Sequence, residues 1–269
     1  MLTGRERHWW AAKAPIKCPD GAVERVVTVA LDVSELRQLQ QARANLARYF
    51  PPNLVDLLAN QSEPLGPARS QTVAVLFADL VGFTHFCEQA PPREVFSMLR
   101  EYQALMGEQV FAWSGTLDKY TGDGLMATFG TPDAGADDAC RALACAFAMR
   151  SALRQWNARR AELGEATLAG SFGLHYGRAL IGNIGDERRL EFAVIGDTVN
   201  VASRLERLAR RLAADIVVSE ATSASAAAAP AAAAMLDALT PVGPQALDGR
   251  EELVAVRLAL APPGDDARF

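Results

Sequence analysis

The chain has 269 residues, enough for one large domain or for a domain of ordinary size with an attached segment. Half of its residues are hydrophobic and 22% are charged, which excludes a wholly disordered chain and a protein with many membrane spans. Its 27 basic and 32 acidic residues give a net charge of −5, which disfavours a protein that coats nucleic acid, so we expect no nucleic-acid partner.

The first 33 residues predict a β-hairpin. Strands are expected at His8 to Ile16 and at Val23 to Val33, where Val27, Val29 and Leu31 alternate with Thr28 and Ala30. Pro-Asp-Gly at positions 19–21 is a turn sequence. The basic start runs directly into Trp9-Trp10 without an apolar core, so we expect no signal peptide. Because an isolated hairpin is marginal in water, this one should end a larger unit or pack on a partner.

This hairpin resembles the C-terminal strands of a PAS sensor domain. The resemblance runs from Trp9-Trp10 through PIKCPDGAVERVVTVALDVSEL and ends in Asp32-Val33-Ser34, which leads into a helix. It covers only the last part of such a domain, and the elements that would enclose a ligand are missing from it. Residues 1–33 are therefore interpreted as a PAS-like remnant, with an N-terminal β-arm without sensing role as the alternative.

A helical linker is expected over residues 34–68. Ser34 and Glu35 begin a helix in which Leu36, Leu39 and Leu46 are spaced nearly as in a coiled coil. The apolar seam lasts less than two heptads before Pro51-Pro52 interrupts it. It predicts a parallel dimer contact, and a helix packed on its own domain is the alternative.

Residues 69–262 predict a larger domain of the α+β class. Short apolar runs alternate with helical periodicity in the order β, α, β-hairpin, α, β, β, α, β, with a closing pair of strands. Separate strands are expected at Leu168 to Tyr176 and at Ala179 to Ile184. This order is typical of a ferredoxin-like α/β sandwich, with helices on one face of a mainly antiparallel sheet.

An alanine-rich segment at 226–234 is the nearest candidate for a membrane span. Pro230 interrupts it, and it is far shorter than the roughly 20 apolar residues that a span needs. We therefore expect no membrane span and a cytoplasmic protein.

Two aspartates suggest a cation site. Asp79 ends a buried apolar strand just before Gly82, which permits a sharp turn and places the carboxylate beside main-chain N–H groups. Asp123 lies in a tight turn between two glycines. Each aspartate alone is more often a turn residue than a ligand. If neighbouring strands bring both together, their repulsion favours a cation between them, and oxygen ligands without histidine favour Mg²⁺ or Mn²⁺.

A third group of polar residues lies on the helix that follows Gly196. Asp197 is expected to cap this helix, and Asn200 and Arg204 are four positions apart, so one helical face presents an amide and a guanidinium. Such a pair can hold a ribose and a phosphoryl oxygen. Taken alone, it is better explained as ordinary solvated helix surface.

Four segments together resemble the catalytic domain of class III nucleotidyl cyclases. They are VLFADLVGFT, LDKYTGDGLMATFG, GRALIGNIG and AVIGDTVNVASRLE, in this order, and the resemblance covers roughly residues 70–260. Their joint agreement makes it highly specific. It implies a reaction in which the ribose 3′-hydroxyl of a nucleoside triphosphate attacks its own α-phosphorus, forming a 3′,5′-cyclic monophosphate and releasing pyrophosphate.

The resemblance also implies a role for individual residues. Asp79 and Asp123 match the two metal-binding aspartates, which hold two Mg²⁺ or Mn²⁺ ions per site, and we place Leu80 in the same metal site. Asn200 and Arg204 match the pair that orients the ribose and stabilises the transition state. We expect Phe83 and Thr84, at the start of the helix that follows Asp79, to bind the substrate.

Lys119 matches the lysine with which adenylate-forming members donate to adenine N1. Its usual partner, Asp, Thr or Ser, is replaced here by Ala193, whose methyl group accepts no hydrogen bond. Selectivity for ATP over GTP is therefore expected to be loose, unless a main-chain carbonyl or water substitutes. Arg250 is a candidate to bind the terminal phosphates of the substrate, although the negative charge of Asp248 nearby disfavours their binding. The affinity for triphosphate is therefore expected to be moderate at best.

In this family the metal-binding residues of one subunit face the Asn and Arg of the other. Since one chain carries both sets, the resemblance implies a homodimer with two shared active sites. The leading hypothesis is a homodimeric adenylate cyclase acting on ATP. A guanylate or mixed-purine cyclase and a catalytically silent dimerisation or nucleotide-sensing module are the alternatives.

Overall fold

The computed structural model describes residues 7–19, 21–47, 68–186 and 189–260. Contacts between residues divide the chain into two units, Met1–Val55 and Asp56–Phe269. Most of the expected linker, from residue 48 to 67, lies outside the described residues, as do the turn residue Asp20 and the proline pair at 51–52.

The first unit contains the expected hairpin. Strand β1, Trp9–Lys17, pairs antiparallel with β2, Val23–Asp32, and every residue of both strands is exposed. Helix α1, Ser34–Ala47, follows at once. The Asp32 carboxylate accepts a hydrogen bond from the Ser34 main chain at 2.9 Å, and its bonds with Ser34 lower its pKa. The sequence therefore located the hairpin and the start of the helix correctly.

The second unit is a mixed α+β domain whose strands and helices alternate. Its elements, in chain order, are β3 Arg69–Val81, α2 Phe83–Gln89, α3 Pro92–Ala112, β4 Thr116–Thr121, β5 Gly124–Phe129, α4 Asp138–Glu162, β6 Ala169–Asp186, β7 Arg189–Ile195, α5 Asp197–Arg211, β8 Ala214–Ser219, α6 Glu220–Ala226, a 3₁₀ turn Pro230–Ala232, α7 Ala233–Asp237, β9 Thr240–Gln245 and β10 Val254–Leu260. The α+β class expected from the sequence is confirmed.

The strands form one sheet in the order β4-β5-β3-β6-β8-β10-β9, with β7 paired to β6. All neighbouring strands are antiparallel except β6 and β8, which are parallel. The order brings β3, the strand that ends near Asp79, between β5 and β6 in the middle of the sheet. Residues 74–78 of β3 pair with both neighbouring strands, whereas the two ends of β3 pair with β6 only.

Helices cover both faces of this sheet, which corrects the expectation that they share one face. Leu174 and Val218 belong to the core built with α3 and α4, whereas Val217 packs with Leu205 and Leu208 of α5 on the other side. Successive strand residues point to opposite faces, so a sheet that is apolar in consecutive positions needs two coverings. Gly173 makes this contact close, because a Cβ there would lie 2.1 Å from the Glu206 nitrogen.

Strand β6 is continuous from Ala169 to Asp186, although the sequence predicted two strands with a break near residues 177–178. Gly177 stays in register with Val73 of β3, and Arg178 with Thr72, so main-chain pairing runs through the expected turn. The glycine is needed instead for packing, since a Cβ there would lie 2.8 Å from the Thr198 hydroxyl. Among the described residues, none of the helices has the length and apolar character needed to cross a membrane.

Candidate active site

Asp79 and Asp123 lie at the same end of two adjacent strands. Ala78 of β3 pairs with Leu125 of β5, so Asp79 comes beside Gly124 and the tight turn that carries Asp123. The pKa of Asp79 is raised to about 7, first because its carboxyl group is buried and next because Asp123 repels its negative charge. The structure thus brings together the two carboxylates whose juxtaposition the sequence suggested.

This pair fits a divalent cation. The Asp79 Oδ1 atom is buried and has no hydrogen-bond partner among the described residues. A buried carboxylate oxygen without a donor, beside a second carboxylate, is a suitable ligand for a hard cation such as Mg²⁺ or Mn²⁺. Among the described residues, no three His, Cys, Asp or Glu side chains form a group that could hold a metal ion.

The guanidinium of Arg210, on α5, contacts Asp79, a contact that the sequence analysis missed. The Arg210 guanidinium donates to Asp79 Oδ2 and, at 2.9 Å, to Glu206 Oε1. Glu206 is almost fully buried and also accepts a hydrogen bond from the Ser171 hydroxyl. The spacing of Glu206 and Arg210 by four residues indicates an ion pair on the helix. Its extension to Asp79 depends on how α5 packs across the sheet.

A polar cavity of about 520 Å³ opens at this position. It is lined from β3 and β4 by residues that include Asp79 and Thr121, and from α5 by residues that include Arg207 and Arg210. Asn200 and Arg204, the predicted transition-state residues, do not line it. Arg204 and Arg210 are six positions apart, so they point about 120° apart around the helix. Within one chain, the two halves of the predicted site therefore do not share this cavity.

Arg204 lies near the loop that precedes β10. Its guanidinium is 3.6 Å from the position of a Cβ on Gly249, and it forms no ion pair with the described residues. Asn200 is exposed on the same helix. The helix cap differs from the expectation: Gly196 occupies the N-cap position and Asp197 is the first helical residue. Asp197 instead accepts a hydrogen bond from Arg250, which also donates to Glu252 at 2.9 Å.

Lys119, the expected base-reading residue, contacts two carboxylates. Its Nζ atom lies 2.7 Å from Glu191 Oε1 and 3.4 Å from Asp118 Oδ2. The Asp118 side chain is 4% exposed and burial raises the pKa of its carboxyl group. Ala193 is buried in β7, opposite Gly182 of β6. The sequence analysis named Lys119 and Ala193 and missed both acidic neighbours.

The remaining predicted residues lie where β3 leads into α2. The Leu80 side chain is buried in the core, so only its main chain is available to a cation. Gly82 has a φ of 84°, a left-handed conformation that favours glycine, and no side chain caps the helix after it. The main chain of Phe83 and Thr84 forms the first turn of α2, with Thr84 exposed.

Comparison with known proteins identifies the family of this domain. Residues 65–258 match the family model of the adenylate and guanylate cyclase catalytic domain. The chain belongs to this family. The cyclase domain is 32% identical over 201 residues to an adenylate cyclase of Anabaena cylindrica, a match covering 72% of this chain and 39% of that protein. It is 34% identical over 190 residues to adenylate cyclase 1 of Rhizobium meliloti, covering 70% and 29% respectively.

The matches therefore span less than half of the length of these relatives. Solved structures of an adenylyl cyclase and of a guanylyl cyclase both resemble the cyclase domain. The guanylyl cyclase Cya2 aligns with a TM-score of 0.62 at 29% identity, covering 74% of this chain and 98% of that one. The adenylyl cyclase CyaB from P. aeruginosa aligns with a TM-score of 0.63 at 26% identity, covering 74% and 99%. The expected family and its fold are thus confirmed.

Proposed function

We propose that two copies of this chain form an adenylate cyclase that converts ATP to 3′,5′-cyclic AMP and pyrophosphate. The observation that carries the proposal is the proximity of Asp123 to Asp79, which lines a polar cavity, in a chain of the cyclase family. The adenylate cyclases of Anabaena and Rhizobium, at 32% and 34% identity, support ATP as the substrate.

Asp79, Asp123 and the main chain of Leu80 would hold the cations, two Mg²⁺ or Mn²⁺ ions per site. Bound there, the ions would make the ribose 3′-hydroxyl a better nucleophile and stabilise charge on the pyrophosphate that leaves. The two carboxylates fix this position by approaching from separate strands of one sheet. The buried Oδ1 atom of Asp79 supports the assignment, since it lacks a donor among the described residues.

Asn200 and Arg204 act on a nucleotide whose metal site belongs to the other protomer. Arg204 is half-buried and unpaired with any described carboxylate, so its charge is available to a phosphoryl oxygen. Asn200, about one helical turn away, donates to or accepts from the ribose. Since neither residue lines the cavity that Asp79 lines in one chain, a two-fold dimer would join both sets of residues into two equivalent sites.

Phe83 and Thr84 would contact the triphosphate through the main chain at the start of α2, where helix amides attract anions. Arg250 is also a candidate, and its bonds to Asp197 and Glu252 lower its availability. We therefore expect moderate affinity for triphosphate. Lys119 would donate to adenine N1, while Ala193 offers no acceptor for the 6-amino group.

The N-terminal unit is proposed to connect an input to the cyclase domain, with the hairpin over 1–33 as a PAS-like remnant and residues 34–68 as a linker. Leu36 and Leu39 of α1 are 56% and 62% exposed, which supports a helical dimer contact through this seam. The cyclase domain itself would extend over residues 69–262.

The decisive experiment measures cyclic nucleotide and pyrophosphate formed by the purified full chain from ATP and from GTP. Rates are compared with Mn²⁺, with Mg²⁺ and with EDTA, over a hundredfold range of protein concentration. We expect cation-dependent cyclic AMP formation, with specific activity rising as the dimer forms. Faster turnover of GTP would support a guanylate or mixed-purine cyclase, which Ala193 and the similarity to Cya2 favour. A dimer that releases no pyrophosphate would be a silent binding module.

A further inference from the structure

We propose that Glu191 is the acceptor that reads the purine base together with Lys119, replacing the polar side chain that position 193 lacks. The inference rests on the proposed function, because it names a specificity residue for that nucleotide site. Its basis is the 2.7 Å contact between Lys119 Nζ and Glu191 Oε1. This contact sets one donor and one acceptor side by side on a half-exposed surface.

The chemistry of adenine requires such a pair. Adenine presents an acceptor, N1, next to a donor, the 6-amino group. A lysine ammonium has three donors and no acceptor, so Lys119 satisfies N1 and leaves the amino group unread. An ionised Glu191 accepts only, and it lies within hydrogen-bond distance of the lysine. The two side chains together therefore complement both polar positions on this edge of the base.

The strand geometry explains how Glu191 reaches the position. Glu191 and Ala193 are two residues apart in β7, and side chains two apart along a strand share one face. Ala193 is 5% exposed and its methyl group offers no polar atom. Glu191 has a longer side chain that is 52% exposed, so it is accessible to a ligand from the same face.

Asp118 is the competing acceptor, since its Oδ2 atom is 3.4 Å from Lys119 Nζ. Its side chain is 4% exposed, so a base has little access to it, and burial raises its pKa. We assign Asp118 to pairing with the lysine and Glu191 to binding the base. The assignment gives each carboxylate a different expected effect on substrate choice.

The test removes the Glu191 carboxylate from the protein and the 6-amino group from the substrate, separately and together. The kcat/KM for ATP is compared with that for purine riboside triphosphate, which lacks the 6-amino group, in the wild-type protein and in Glu191→Ala. We expect the wild type to prefer ATP by about tenfold. Glu191→Ala should lose most of that preference, because the 6-amino group of ATP then has no acceptor in the protein. Glu191→Gln keeps one carbonyl acceptor and should retain part of the preference.

The matched control is Asp133→Ala. Asp133 is an exposed carboxylate that pairs with Arg69 at 3.2 Å, so this variant also removes one half of a surface ion pair. Exposed pairs contribute little to stability, so both variants should fold normally, as checked by melting temperature. Asp133→Ala should keep the wild-type preference. A Glu191→Ala protein with the wild-type ratio would overturn the inference, as would loss of the preference in Asp118→Asn alone.

Failure of the proposed function gives a separate result. If the wild type turns over neither ATP nor GTP, the cyclase proposal fails, and the base preference is then measured by binding. The probe is a fluorescent methylanthraniloyl-ATP, displaced by ATP or by purine riboside triphosphate in an Arg204→Ala background. The ratio of the two displacement constants should fall about tenfold when Glu191→Ala is added. An unchanged ratio would refute the role of Glu191.

Discussion

Arg210 of α5 donates a hydrogen bond to the carboxylate of Asp79, 131 positions earlier in the chain. The guanidinium therefore neutralises part of the charge that a metal ion would neutralise, and it lowers the pKa that burial and Asp123 raise. Because Arg210 is held at the same time by Glu206, it lies at a fixed position beside the cation site. The pair connects the packing of α5 to the chemistry at the end of β3.

Replacing Arg210 with Ala should strengthen binding of the divalent cation. Removing a positive charge next to the carboxylates should lower the half-saturating Mn²⁺ concentration about fivefold, equivalent to about 1 kcal/mol. Mn²⁺ titration of cyclic AMP formation measures it. Arg211→Ala is the control, since the neighbouring arginine pairs with Asp248 at 3.2 Å instead. Weaker Mn²⁺ binding in Arg210→Ala would show that the guanidinium organises the carboxylates.

Metal binding should depend on pH below neutrality. The pKa of Asp79 is raised to about 7, so below that pH a cation must displace one proton from the carboxyl group. The half-saturating Mn²⁺ concentration should rise by up to about tenfold per pH unit as pH falls below 7, and level off above it. Isothermal titration from pH 5.5 to 8.5 measures the profile. In Asp123→Asn, which removes the neighbouring charge, the bend should move to lower pH.

Mixtures of inactive variants should recover activity if the subunits share sites. Asp79→Ala and Arg204→Ala are each expected to be inactive, but in a mixed dimer one site contains both lesions and the other contains none. Random mixing makes half of the dimers mixed, each with one intact site of two, so about a quarter of wild-type activity should return. A mixture of Asp79→Ala with Asp123→Ala should stay inactive, because both lesions affect the same half. No recovery in the first mixture would mean that each subunit acts alone.

Gly124 should be required for the position of Asp79. A Cβ at this residue would lie 2.8 Å from both Asp79 Oδ1 and the Ala78 carbonyl oxygen. Gly124→Ala should therefore displace the carboxylate and reduce kcat at least tenfold, with a loss of about 1 to 3 kcal/mol in the free energy of unfolding. Gly164→Ala is the control, because its φ of 71° makes alanine strained although no atom lies within 4 Å of the added Cβ. Equal losses of activity in both variants would contradict the prediction.

His175 should decrease stability in acid. Burial lowers its pKa to about 4 from 6.5, and its Nδ1 atom lies 2.8 Å from the Ser219 hydroxyl. The unfolded chain binds the proton first, so this contribution to stability is lost as pH falls from 6.5 towards 4. Asp79 acts in the opposite direction, because its raised pKa makes the folded state take up a proton as pH falls from 7. To separate the two effects, the stability of each variant is compared with that of the wild type at the same pH.

In His175→Gln the decrease in melting temperature between pH 6.5 and 4.5 should be smaller than in the wild type. His85→Gln is the control, since the His85 side chain is 72% exposed. An identical pH dependence in His175→Gln and the wild type would show that the imidazole does not titrate on unfolding. Circular dichroism at fixed ionic strength is the measurement.

The sequence alone determined the family and the α+β class, and it singled out Asp79 and Asp123 as a pair that neighbouring strands could bring together. These depend on local patterns: an apolar run ending in Asp79, a Gly-Asp-Gly turn and helical periodicity, each of which is written in consecutive residues. A hairpin joins neighbouring strands, so the turn carrying Asp123 needed only β5 to pair with β3 for the two carboxylates to meet. The break expected within β6 was wrong because Gly177 serves close packing and not a turn.

Only the tertiary structure decided which charges surround those aspartates and Lys119. The contact between Lys119 and Glu191 joins residues 72 positions apart, and that between Asp79 and Arg210 joins residues still further apart. No spacing along the chain specifies such contacts, because they depend on which sheet face α5 covers and on where β7 ends. Side-chain periodicity identifies the buried face of one element, whereas the partner across the gap follows from the packing of all of them.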